Sequence, residues 1–189
     1  MRSITLLFFA GLLITVCSCR SDFETVASTG DLAFSKDTVY LDTVFTNIGS
    51  STYKLKVYNH GKNDINIPTI QLGKGLNSKY RMTVDGMQGE DNKIFNNVTL
   101  LAKDSLYIFV EIAPEATGPE AIAEDKILFE SPAGQQNVVL FSVVQDAEFF
   151  IKTPSNPNIL TSDATWNNNK AKIIYGDLTI DQNVILNIQ

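Results

Sequence analysis

Residues 34–61, FSKDTVYLDTVFTNIGSSTYKLKVYNHG, alternate in polarity with a period of two, and this pattern constrains the fold more than any other part of the chain. In an extended chain successive side chains point to opposite faces, so Val39, Leu41, Thr43 and Phe45 fall on one side. Tyr40, Asp42, Val44 and Thr46 fall on the other. After Asn47-Ile48-Gly49-Ser50, Tyr53, Leu55 and Val57 oppose Lys54, Lys56 and Tyr58. The stretch therefore reads as two strands joined by a turn, the raw material of a β-sandwich.

The same period recurs downstream. Ile65 and Ile67 alternate on odd positions and Ile70 and Leu72 on even ones, with Pro68 between them. A slip of one residue turns every side chain over, so Pro68 marks a bulge, an edge or a change of sheet. Tyr80, Met82 and Val84 alternate before the turn Asp85-Gly86, and Val98 and Leu100 suggest a further strand. Residues 105–112, SLYIFVEI, are nearly continuous in apolar and aromatic groups, which predicts a central strand covered on both faces. Residues 126–130 and 138–144 supply two more strands around Ser131-Pro132-Ala133-Gly134. This density of strands, with no amphipathic helix, predicts an all-β fold built on an Ig-like antiparallel β-sandwich over residues 32–150.

The amino terminus carries an address. Residues 4–16 form an apolar run behind Arg2, shorter than the roughly 20 residues needed to span a bilayer, so residues 1–19 read as an export signal. Its end, Leu13-Ile14-Thr15-Val16-Cys17-Ser18-Cys19, resembles a bacterial lipobox, and the small Ser18 before Cys19 makes Cys19 the expected lipidation site. An ordinary secretory peptide with incidental cysteines is the plainer alternative. Cys17 and Cys19 are the two cysteines of the chain, which leaves none for a disulfide framework downstream. Residues 20–31 carry few large apolar groups and read as a tether, with Asp22 and Glu24 placing acid just after the anchor.

Residues 37–59 (DTVYLDTVFTNIGSSTYKLKVYN), 81–89 (RMTVDGMQG), 102–112 (AKDSLYIFVEI) and 145–149 (QDAEF) together resemble a family of Bacteroidota surface lipoproteins. The resemblance implies an N-terminal Ig-like domain followed by a right-handed parallel β-helix, at the outer membrane or cell surface. Val143-Val144 depart from the Trp-Gly pair usual there. Residues 151–170, with Pro154, Pro157 and several Ser, Asn and Thr, read as a linker. In residues 171–189 the alternations Leu178/Ile180 and Leu186/Ile188 resemble the first strands of a parallel β-helix, which is then incomplete. Such coils bury their inward face only against neighbours. Either the chain continues beyond this point or these strands dock on the sandwich.

Chemistry is sparse. A net charge of -6 argues against the basic stripe that a nucleic-acid grip requires, and Lys54 with Lys56 read as a solvated strand face. The single histidine, His60, sits among turn residues with no nucleophile or acid tied to it. One histidine cannot build a His/Cys zinc site here, and Asp85, Glu90 and Asp91 lack the EF-hand spacing and read as a hydrated loop. Asn97-Val98-Thr99 matches the eukaryotic glycosylation pattern, which carries little weight beside a lipobox. No catalytic residue, metal site or cofactor is predicted. Tyr40, Tyr53 and Tyr58, with residues 138–144, form a candidate sugar-binding face, because aromatic rings stack on sugars; ordinary sheet packing is the plainer reading. The expectation is a lipid-anchored, non-catalytic stalk or adaptor that presents a β-helix to a glycan or an envelope protein. The alternatives are the leading part of a polysaccharide-degrading β-helix enzyme, or a carbohydrate-binding module.

Overall fold

The computed structural model describes residues 24–114, 122–167 and 169–189; Cys17, Cys19 and the apolar run before them lie outside the described residues. The fold is all-β. One sheet has the order β3 (Thr38–Phe45), β10 (Gly134–Gln145), β9 (Ile122–Ser131), β5 (Ile65–Leu72), β7 (Ile94–Leu100). A short β1 (Val26–Ala27) pairs in parallel with β5. The facing sheet has the order β2 (Ala33–Phe34), β4 (Tyr53–Tyr58), β8 (Ser105–Ile112), β6 (Tyr80–Val84). The second order reproduces the A-B-E-D sheet of an Ig-like sandwich, and β10-β9-β5 reproduces G-F-C. The edges depart from it: β7 lies beside β5 but follows β6 in the chain.

The core lies between the sheets, where Val39, Leu55, Ile67, Ile108, Ile127 and Leu140 are fully enclosed. Tyr80 is buried with them and bridges the layers. Its hydroxyl donates to the carbonyl of Ala123 on β9 at 2.8 Å and lies 3.1 Å from Ser142 Oγ on β10. Burial pushes the Tyr80 phenol up to about 12, with the Ser142 hydrogen bond pulling the other way. Beside it the buried Asp125 accepts the Ser78 hydroxyl and the amides of Lys74 and Lys126, which fixes the turn entering β6.

Residues 34–61 do not form a hairpin. β3 and β4 go to opposite sheets and face each other across the core, because each has one apolar side to cover and finds it in the other layer. Nor does β3 keep one parity: Val39, Leu41 and Val44 are buried, while Thr43 is exposed. Asp42 adopts φ +61°, its carboxylate accepts the Thr43 amide at 2.8 Å, and the register against β10 shifts at that point. This bulge adds one residue to β3 and turns the rest of the strand over. Pro68 marks a related change. Ile67 and Ile70 are both buried, Asn97 opposite has φ +55°, and the partner on that edge of β5 changes from β1 to β9. A residue without an N–H fits where no ladder bond is required.

β8 is central, between β4 and β6, but covered on one face only. Leu106, Ile108, Val110 and Ile112 point inward, whereas Tyr107 and Phe109 are 39% and 40% exposed. The continuous apolar run reflects aromatic groups on an open face. The β9–β10 hairpin turns at Pro132-Ala133 as the sequence predicts. Residues 24–31, read as part of a tether, are partly docked: β1 lies on β5, Ser28 is buried, and the Leu32 backbone bonds both ends of the Gln136 amide.

Residues 151–170 are not a linker. β11 (Ala147–Ile151), β12 (Ile159–Leu160) and β13 (Ala164–Trp166) form one coil, and β14 (Ala171–Tyr175), β15 (Thr179–Ile180) and β16 (Leu186–Ile188) form a second. The two stack in parallel through β11–β14, β12–β15 and β13–β16. The terminal strands therefore pair with the coil before them and not with the sandwich. Pro154, Pro157 and the left-handed residues Asn158, Gly176 and Asn183 lie between these short strands. Asn158 is buried and donates to the carbonyl of Asp177, tying one coil to the next.

Candidate functional site

Two surfaces stand out, the outer face of the β2-β4-β8-β6 sheet and the junction where the sandwich passes into the coils. On the sheet face, alternation sends Lys54, Lys56 and Tyr58 of β4 outward, beside Tyr107 and Phe109 of β8. Lys56 lies directly opposite Tyr107, and Lys54 opposite Phe109. The Lys56 ammonium stands 5.2 Å from the ring centroids of both Tyr58 and Tyr107. Each ring presents its electron-rich face to the cation, which holds the lysine in place. Tyr107 and Phe109 stack at 6.2 Å, and Tyr58 stacks on His60 at 5.5 Å. The result is a ribbon of rings along the two central strands.

Next to Phe109 the ribbon meets a cavity of about 200 Å³ lined by Arg81, Met82, Thr83, Asn92, Phe109 and Glu111. Arg81 pairs with Glu111 across β6 and β8, with Nε and a terminal nitrogen 3.0 and 2.8 Å from one carboxylate oxygen. Thr52 donates to the other oxygen. The Thr52 hydroxyl first, and Arg81 second, hold the Glu111 carboxyl below its usual range. Glu111 is thus an ionised acceptor at neutral pH and not a proton donor.

The three tyrosines predicted as a ligand face do not share one. Tyr40 is on the outer face of the other sheet, 56% exposed and stacked on Phe141. Tyr53 points inward and packs against the core. Only Tyr58 belongs to the ribbon. Of residues 138–144, Val138, Leu140 and Ser142 are enclosed in the core. Parity alone separates Tyr53, in step with Leu55 and Val57, from Tyr58, in step with Lys56. Tyr107 and Phe109 escaped the sequence reading because β8 was expected to be covered on both sides. His60 is exposed in its turn, where its carbonyl accepts the Lys103 ammonium. Asp85, Glu90 and Asp91 serve turns, with Asp85 and Asp91 left-handed, and among the described residues no three metal-ligating side chains come together.

At the junction, β10 ends at Gln145 and β11 begins at Ala147, with Asp146 alone between them. Thr46, just past β3, donates its amide to the Gln145 carbonyl at 3.1 Å and its hydroxyl to Asp146 at 2.9 Å. Lys170, ahead of β14, reaches the other Asp146 oxygen at 2.8 Å. Hydrogen bonding from Lys170, then from Thr46, holds the Asp146 carboxyl below its ordinary range. Phe45 packs edge-on against Phe149 at 5.6 Å. The first coil places Phe150 against Trp166 at 4.8 Å. Above Phe150, Leu160 and Trp166 stand Ile174, Ile180 and Ile188, which are 45%, 45% and 73% exposed. The stack thus ends in an open apolar face.

No protein-family model matches this chain, and no curated protein does. Among solved structures it is similar to a family 123 glycoside hydrolase from Clostridium perfringens, at 11% identity and a TM-score of 0.44, over 69% of this chain and 26% of that one. It is similar to the E. coli chaperone DraB at 14% identity and a TM-score of 0.40, over 65% of this chain and 58% of that one. A protein of unknown function from Porphyromonas gingivalis W83 matches at 12% identity and a TM-score of 0.43, over 74% of this chain and 60% of that one. The chain thus spans about a quarter of the first and under two thirds of the other two. Likeness at this level carries no functional argument.

Proposed function

We propose that this chain is a lipid-anchored envelope protein, fixed through Cys19 at the outer membrane or cell surface, whose sandwich is a non-catalytic stalk or adaptor. In this reading the sandwich holds a parallel β-coil clear of the lipid surface. The observation that carries it is the junction: a single residue separates β10 from β11, and Thr46, Lys170 and the Phe45–Phe149 contact brace it from both sides. A spacer has to transmit orientation, and a joint without a loop does so. The open coil face at Ile174, Ile180 and Ile188 suits continuation by further coils, since stacked repeats bury their core only against neighbours. The resemblance to Bacteroidota surface lipoproteins and the lipobox-like sequence at Cys19 support this address.

The test is fractionation with metabolic lipid labelling, combined with protease treatment of intact cells. The wild-type chain is expected to take up label, to sediment with membranes and to be cleaved from outside. The Cys19→Ala variant is expected to lose the label and leave the membrane fraction. Unchanged labelling and sedimentation of Cys19→Ala would overturn the anchor, and protection of the wild type from external protease would overturn surface exposure.

A further inference from the structure

We propose that the outer face of β4, β8 and β6 binds an acidic polysaccharide. In this arrangement Tyr107 and Phe109 pack against sugar rings, Lys54 and Lys56 pair with sugar carboxylates, and the Arg81–Glu111 cavity receives the hydroxyls of one sugar unit. This site stands on the sandwich alone and does not depend on the adaptor reading.

The rings come first. Aromatic side chains on an exposed strand face leave large apolar area in water unless a partner covers it. Tyr107 and Phe109 stack nearly parallel, at 17° with centroids 6.2 Å apart, as consecutive rings along β8 that are each about two-fifths exposed. The C–H face of a pyranose covers the exposed part of such rings while leaving its hydroxyls free. The ribbon is long and open, which suits a chain of sugars better than a small compound, since small-molecule sites enclose most of their ligand. At one end the cavity of about 200 Å³ adds the convergent polar groups that fix orientation, with Arg81 donating, Glu111 accepting, and Thr83 and Asn92 nearby.

Charge selects the class of polymer. The chain as a whole is acidic, at -6, yet this face carries two lysines that no carboxylate pairs with among the described residues. The acids nearby are otherwise placed. Glu111 is taken by Thr52 and Arg81, and Asp104 accepts the Ser105 amide. Asp85 is a left-handed turn residue past β6 whose amide donates to the Tyr107 carbonyl at 2.8 Å, which leaves it as the acid that borders the face. Lys56 is held above two rings, so little side-chain freedom remains to be lost when a carboxylate arrives. Lys54, across from Phe109, offers a second cation one repeat further along the strand.

Affinity electrophoresis of the full chain in gels containing polygalacturonate, alginate or carboxyl-reduced polygalacturonate tests this, with oligothymidylate as a competing probe. The wild type is expected to be retarded by at least one acidic polymer, and less so as salt rises. Tyr107→Ala and Phe109→Ala should each weaken retardation by about tenfold, the scale of one aromatic stacking contact. The Lys54→Gln/Lys56→Gln double variant should weaken it and remove the salt dependence, while Tyr40→Ala on the opposite sheet should match the wild type. Thermal melts of each variant separate loss of binding from loss of fold. Failure to bind either acidic polymer, equal binding of the carboxyl-reduced polymer, tighter binding of oligothymidylate, or an equal effect of Tyr40→Ala would each overturn the proposal.

Discussion

Replacing Tyr80 with Phe keeps the ring and removes one oxygen, and that oxygen joins the two sheets. Its hydroxyl donates to the Ala123 carbonyl and meets Ser142, both on the facing sheet. Without it a buried carbonyl loses its donor, which costs about 1–3 kcal/mol at neutral pH. The alkaline limb gives a sharper test. The phenol moves from 10.0 to about 12 on folding, chiefly by desolvation. Between these values the unfolded chain has released its proton while the folded chain keeps it. The unfolded state then binds fewer protons, and stability falls as pH rises. A shift of this size amounts to about 1 kcal/mol by pH 11, and to more well above pH 12. Urea titrations followed by circular dichroism at pH 7, 9 and 11 on wild type and Tyr80→Phe read it directly, since the other tyrosines and the lysines are common to both. The advantage of the wild type should be present at pH 7 and 9 and shrink by about 1 kcal/mol at pH 11. A difference that stays constant from pH 7 to 11 would refute the buried-phenol reasoning.

Two further substitutions probe the edges of the sandwich. A Cβ at Gly89 would press on the Ile94 carbonyl oxygen and come within 2.9 Å of the Phe95 ring, so Gly89→Ala should cost about 1–3 kcal/mol in urea unfolding; an unchanged midpoint would show that the loop can shift freely. Thr52→Val removes the main cause of the low Glu111 pKa, so a carbon-detected NMR titration should find it raised toward the ordinary carboxylate range. The stability linked to Glu111, lost as pH falls through its folded-state pKa, should then be lost at a higher pH; an unmoved titration would assign the depression to Arg81 alone.

Strand content was legible because alternation is local, and β4 and β6 appear in the structure with the parity that the sequence predicts. Pairing was not legible. Nothing within residues 34–61 distinguishes a hairpin from two strands facing across a core, since both need one apolar side. The flip at Asp42 was hidden because Val44 and Phe45 are both apolar and either could point inward. Pro68 announced its change of parity because proline has no N–H to give. The first coil was missed for a different reason. β12 and β13 hold two and three residues, too few to show a period, and the Pro, Asn and Ser between them have the composition of a flexible linker. The sheet face was half legible: Lys56 and Tyr58 share a parity, but their neighbours on β8 come from a strand nearly fifty residues away in the chain and only the fold brings them together.

Residual dipolar couplings of the backbone amides test most directly whether sandwich and coil act as one stiff spacer. If the joint at Asp146 is rigid, a single alignment tensor fits the couplings of β3–β10 and of β11–β16 alike. A coil that requires its own tensor, of smaller magnitude than that of the sandwich, would mean that it swings on the junction, and the stalk would not hold what it carries in a fixed direction.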